Sequence, residues 1–263
     1  MMYSGTIVPL VTPLDSSDAV SHSGVDRLIK SVHGEVTALM PTLSSGEGWL
    51  LTERQWTDMV SFTRKYSRGL PVLAGVQLAT TAEVVDRARA AVTLGADGVV
   101  VTTPFRAELS QEEIYQHYRT LRESVAVPLF LYNESALSGN QIEVDTLRRI
   151  CELPDVVGIK ESSGSAELTR EIVAALPGVP VFEGWENLLI HADGVAGFIG
   201  PLANLEPALC NAMLAEPTPT LQAAIDTACK RYGLFRDDWY RWVKRELHRR
   251  GVLGTDVVVQ QVS

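Results

Sequence analysis

The chain has 263 residues, 46% hydrophobic and 21% charged, which suffices for the core of one large domain. Its 32 acidic residues outnumber the 23 Lys and Arg, for a net charge of -9, and the only basic cluster is Arg245, Arg249 and Arg250, so no nucleic-acid partner is expected. No apolar run approaches the ~20 residues of a membrane helix, no secretory signal opens the chain, and the widely spaced Cys151, Cys210 and Cys229 form neither a disulfide framework nor a Cys-x-x-Cys site, so the expectation is a cytoplasmic protein with no membrane contact and with packing cysteines.

In chain order, short β-branched or apolar runs occupy residues 7–11, 36–40, 71–76, 98–102, 128–132, 156–160, 180–183 and 195–199. Between them lie amphipathic stretches, two of which open on capping-box signals, Thr52-Glu53-Arg54-Gln55 and Ser110-Gln111-Glu112-Glu113. The runs are continuously apolar, as strands covered on both faces must be, and parallel pairing follows. Eight such units predict an α/β fold, a closed (β/α)8 TIM barrel over residues 1–206 more than an open doubly wound sheet. Helical periodicity at 221–232 and 237–250 predicts a short C-terminal helical extension over 207–263, packed on the barrel. Pro217-Thr218-Pro219 is too short a linker to separate domains, so the chain reads as a single domain overall.

Barrel enzymes carry their chemistry at the C-terminal ends of the strands, and three such ends stand out here. The second strand runs into Pro41-Thr42-Leu43-Ser44-Ser45-Gly46-Glu47-Gly48, where hydroxyls and glycine-borne N–H groups can face an anion or form an ordinary solvated turn. The fifth ends in Tyr132, a proton relay or a core aromatic. The sixth ends in Lys160, the only one of five lysines on a predicted strand. A buried ammonium needs a reason: an ion pair with a neighbour such as Glu183, or a desolvated amine that serves as a nucleophile toward a carbonyl. The five histidines show no paired ligand spacing, and each is expected on an exposed surface or a helix face.

Taken together, these segments resemble the family of dihydrodipicolinate synthase and N-acetylneuraminate lyase. Ser44-Ser45-Gly46-Glu47 is similar to that family's hydroxyl-hydroxyl-Gly-Glu loop, Tyr132-Asn133 to its strand-five pair, and Gly158-Ile159-Lys160-Glu161-Ser162-Ser163-Gly164 to its Schiff-base lysine motif. The likeness continues through Gly194-Val195-Ala196-Gly197-Phe198-Ile199 and Ala203-Asn204-Leu205-Glu206-Pro207, and so covers nearly the whole chain. The resemblance implies a class I aldolase or lyase that forms an imine between Lys160 and pyruvate or another 2-oxo acid, with no metal and no cofactor. It implies Tyr132 as proton shuttle, Ser44 as the hydroxyl relaying protons to it, and Ser45 as the holder of the substrate carboxylate. Gly46, Leu137, Ile199 and Arg106 are the further positions expected to contact substrate. The co-substrate is expected to be an aldehyde or imine, and the protein a homo-oligomer.

Some positions depart from the family pattern. Leu137 stands where dihydrodipicolinate synthases place a carboxylate-binding arginine, so aspartate semialdehyde is expected to be a poor co-substrate. Pro104-Phe105-Arg106 replaces a Pro-Tyr-Tyr segment that completes a neighbour's proton relay, Leu43 replaces a glycine before the hydroxyl pair, and nothing in residues 133–138 marks a sugar acid. Two other readings remain: an imine-dependent dehydratase, decarboxylase or hydrolase of a 2-oxo acid, and a non-catalytic barrel that binds a small acid.

Overall fold

Each of the eight apolar runs overlaps a strand in the computed structural model, which describes residues 3–105 and 108–260. The elements are β1 (Gly5–Pro9), α1 (His22–Val32), β2 (Ala38–Met40), α2 (Glu53–Tyr66), β3 (Leu73–Val76), α3 (Thr81–Thr93), β4 (Gly98–Val101), α4 (Gln111–Ser124), β5 (Leu129–Asn133), the one-turn α5 (Ser135–Ser138), α6 (Val144–Cys151), β6 (Val156–Glu161), α7 (Ala166–Ala175), β7 (Val181–Glu183), β8 (Gly197–Phe198), α8 (Pro207–Ala215), α9 (Pro219–Tyr232) and α10 (Trp239–Arg249). Both expected capping boxes form, Thr52 with Gln55 and Ser110 with Glu113, and Thr80 with Glu83 makes a third.

The strands pair in parallel in the order β2-β1-β8-β7-β6-β5-β4-β3. The ring closes between β2 and β3 through a parallel bridge at Leu39 and Val72, where Leu39 N–H donates to Pro71 O at 2.9 Å. This is a TIM barrel. Strands stop where a backbone N–H leaves the ladder: past β1, Leu10 N–H still reaches Met40 O at 3.0 Å, but Val11 N–H turns to Asn204 Oδ1 at 3.2 Å. The interior is plugged by Ile7, Met40, Leu73, Val100, Phe130 and Phe182, among others, and two larger apolar layers lie between strands and helices. Cys210 and Cys229 are buried in one of these layers and Cys151 packs at the edge of the other, as expected.

The seventh connection differs from the expected βα unit: after β7 the chain makes only 3-10 turns over Glu186–His191. The helix α9 packs there, and its Gln222 side chain accepts from Ile190 N–H at 3.1 Å and donates to Glu186 O at 3.1 Å. α8, which begins at Pro207, packs on β1 and β8 as the helix of the eighth unit. We propose that residues 1–206 and 207–263 act as one domain, because the extension shares an apolar layer with β1 and α1. His117 lies on a helix face as expected, but a buried one on α4, with Nδ1 2.9 Å from Thr81 Oγ1 and its pKa lowered by burial to about 4. Among the described residues no helix is long and apolar enough to cross a membrane.

Candidate active site

Alternation along β5 and β6 decides which side chains meet. Tyr132 pairs in register with Lys160, and Asn133 with Glu161. Neighbouring residues on a strand point to opposite faces, so the first pair enters the barrel and the second faces the helices. There Asn133 Nδ2 donates to Glu161 Oε2 at 2.7 Å, Ile142 N–H donates to Asn133 Oδ1 at 2.8 Å, and Ser163 N–H donates to Glu161 Oε1 at 2.6 Å. The outward pair thus fixes two strand ends, and the inward pair is left to the site. Lys160 Nζ lies 4.1 Å from the centroid of the Tyr132 ring.

Lys160 is 4% exposed, and among the described residues no ion pair joins it to a carboxylate. Burial pulls its amine down to about 8, against the opposing pull of Glu134 and Glu186. Glu183, the ion-pair partner weighed from the sequence, is engaged elsewhere: its carboxylate accepts from Thr169 Oγ1 at 2.9 Å, Gly184 N–H at 3.0 Å and Trp185 N–H at 2.9 Å. The Tyr132 hydroxyl lies 3.4 Å from Ser44 Oγ, and Gln77 Nε2 donates to that same Oγ at 3.0 Å. Burial first, and then Glu134, hold the Tyr132 phenol above its ordinary range, so it is a neutral donor.

The hydroxyl loop is a 3-10 turn over Ser44–Gly46. Leu43, at the position where the resembling family has glycine, takes an ordinary extended φ of -87°, and the left-handed angles fall instead on Thr42 and Glu47, at 62° and 58°. Gly46 is required by contact, since a Cβ there would lie 2.7 Å from Leu10 O. Its own N–H donates to Leu43 O and that of Glu47 to Ser44 O, whereas Ser45 N–H has no backbone partner among the described residues. The strained Glu47 is held from the far end of the chain. Its carboxylate forms an ion pair with Lys244 of α10, both side chains fully buried, and accepts Val259 N–H at 2.7 Å; Lys244 Nζ also donates to Val257 O at 3.0 Å. Trp49, just past the loop, packs against Phe105, Trp239 and Tyr240 with ring centroids 5.9 to 6.5 Å apart.

A cavity of about 440 Å³ opens over Lys160 at the C-terminal end of the barrel. Of the residues expected from the sequence, Ser44, Ser45, Tyr132, Leu137 and Lys160 line it. Gly46 lies behind the loop against Leu10, Ile199 belongs to the barrel interior, and Arg106 lies outside the described residues. The sequence reading missed Glu134, Ser162, Trp185, Glu186, the segment from Leu234 to Asp237 and Trp239, all of which line the cavity, as well as Gln77 behind Ser44. Glu186 is 2% exposed, accepts Leu202 N–H at 2.9 Å, and is pushed by burial up to about 7. Glu134 directly follows β5, and Glu186 lies three residues past the end of β7.

A sequence model of the dihydrodipicolinate synthetase family matches residues 2–257. The chain belongs to this family. The 4-hydroxy-tetrahydrodipicolinate synthase of Wolinella succinogenes is 30% identical over 228 residues, covering 85% of this chain and 76% of that protein. The one from Phenylobacterium zucineum is 33% identical over 218 residues, covering 80% and 72%. Among family structures, dihydrodipicolinate synthase from Bacteroides thetaiotaomicron superposes with a TM-score of 0.88 at 28% identity, covering 97% of this chain and 91% of that one. The Acinetobacter baumannii enzyme, described as complexed with pyruvate, gives 0.87 at 25% identity, covering 99% and 94%.

Proposed function

We propose that this protein is a metal-independent Schiff-base lyase or aldolase that uses Lys160 to form an imine with pyruvate or a related 2-oxo acid. The observation that carries the reading is the buried amine, without a contacting carboxylate, 4.1 Å over the ring of Tyr132. Family membership and the pyruvate complex of the Acinetobacter baumannii relative support the 2-oxo acid.

The neutral Lys160 amine attacks the 2-oxo carbon, the nitrogen passes one of its protons to the former carbonyl oxygen, the Tyr132 hydroxyl supplies the second, and water leaves to give the iminium and a tyrosinate that can next accept a proton. In the cleavage direction the C3–C4 electron pair enters the iminium as an enamine forms. The Tyr132 hydroxyl, aligned with Ser44, carries away the proton of the C4 hydroxyl and returns one to C3, and hydrolysis then frees Lys160. Gln77 donates to Ser44 and so directs the serine proton toward Tyr132. Ser45, which lines the cavity and whose N–H has no backbone partner among the described residues, is assigned the substrate carboxylate.

The test is reduction with borohydride in the presence of pyruvate, followed by peptide mapping. One pyruvyl unit on Lys160 is expected. Labelling at Lys30, Lys65, Lys230 or Lys244, or undiminished turnover by Lys160→Ala, overturns the mechanism.

A further inference from the structure

The wall of the cavity beyond Tyr132 carries the wrong charge for a second carboxylate. Glu134 is 5% exposed and directly follows β5. Its Oε1 accepts Leu137 N–H at 2.8 Å and its Oε2 accepts Ser138 N–H at 3.3 Å, so the side chain is fixed as the cap of α5. Each carboxylate oxygen keeps an unused lone pair after one such bond. Glu134 lines the cavity beside Leu137, which contributes no charge, and Glu186 adds a second buried carboxylate to the same space. Among the described residues the cations there are Lys160, which the imine consumes, and at the rim Arg236, which lies 3.5 Å from Asp238 and over the ring of Trp242. Asp237 adds another acid at the same rim.

We infer that Glu134 determines the electrophile: its fixed carboxylate accepts a hydroxyl of a neutral hydroxyaldehyde and repels an electrophile that carries its own carboxylate. The inference rests on the imine chemistry proposed above and adds the substrate class of its second half-site. A hydroxyl hydrogen bonded to a buried carboxylate is recognised by a charge-assisted bond, and an anion in its place meets like charge in a site with little water.

Condensation of pyruvate with D-glyceraldehyde, a neutral hydroxyaldehyde, is compared with condensation with aspartate semialdehyde, each rate normalised to the fraction of protein that borohydride traps with pyruvate. The unmodified protein should prefer glyceraldehyde. Glu134→Gln keeps the shape but removes the charge, and it should lower the glyceraldehyde to aspartate semialdehyde ratio of kcat/KM by roughly tenfold or more, mainly through KM. Leu137→Arg, which leaves the Glu134 contacts in place, should move the ratio in the same direction. Preference for aspartate semialdehyde by the unmodified protein, or a ratio unchanged in both variants, overturns the assignment. Failure to trap pyruvate at all overturns the imine reading together with it, whereas normal trapping with an unchanged ratio overturns the role of Glu134 alone.

Discussion

Lys160 and Lys244 are both withdrawn from solvent, at 4% and 0% exposure, yet they meet different surroundings. Lys244 touches the Glu47 carboxylate and also donates to Val257 O, so its charge is matched where it lies. Lys160 has an aromatic face at 4.1 Å, and its nearest influences of opposite sign, Glu134 and Glu186, act through space. Burial lowers both amines, but only that of Lys160 is left with no contacting carboxylate to hold its proton. The contrast teaches that burial of a lysine does not by itself mark chemistry: a matched lysine ties two segments together, and an unmatched one supplies a nucleophile.

The largest effect that tests this contrast is on activity. Lys160→Met should abolish turnover and borohydride labelling, measured with pyruvate as carbonyl substrate, while Lys244→Met should still label in whatever fraction stays folded. The next is on stability: Lys244→Met leaves the buried Glu47 without its partner and should cost about 3–5 kcal/mol in denaturant unfolding, much of it recovered when Glu47→Gln is added. If the single substitution is neutral, the ion pair is not what holds the loop. Tyr132→Phe should fold normally and lose ~10²-fold in turnover, whereas a purely packing tyrosine would cost stability and little rate.

The smallest effect depends on pH. The Lys160 amine, lowered to about 8 from 10.5, must be neutral to attack, so the rate of imine formation should rise about tenfold per unit up to pH 8 and then level off. The same shift has a stability sign. The folded state binds the proton less tightly than the unfolded state, so the penalty is fully present below pH 8 and disappears as pH rises toward 10.5. Lys160→Met should therefore be more stable than the unmodified protein at pH 7, by up to about 3 kcal/mol, with the gap closing above pH 8. A rate profile flat from pH 6 to 9 would remove the titrating amine from the mechanism.

The strands were legible because a sheet covered on both faces leaves unbroken apolar runs, and Lys160 was legible because a charge interrupts the end of one. Its register partner Tyr132 was legible for a similar reason, since a polar group at a strand end has few uses. Glu134 and Glu186 were not, because an acid after a strand reads as part of a solvated loop until the chain's other segments close over it. Lys244 was hidden by its helix: a lysine among Arg241, Arg245 and Glu246 reads as part of a charged face, and only the folded chain brings Glu47 to it. The helix expected after β7 does not form, because α9, more than thirty residues further along the chain, covers that part of the barrel instead.

The contact between Glu47 and residues 244–259 also bears on the order in which the molecule can become active. The loop carrying Ser44 and Ser45 is made well before its anchor, since Val259 lies 212 residues after Glu47. A chain released only through β8 has every strand of the barrel and the Lys160 amine, but its Glu47 has neither Lys244 nor the Val259 N–H to bind. Contacts so distant along the sequence form late, after the local βα units have collapsed. In refolding experiments, helical circular dichroism should therefore recover before the ability to trap pyruvate, and the interval should lengthen when Val257 to Val259 are replaced by glycine. Competence of the site then reports that residues 244–259 have arrived.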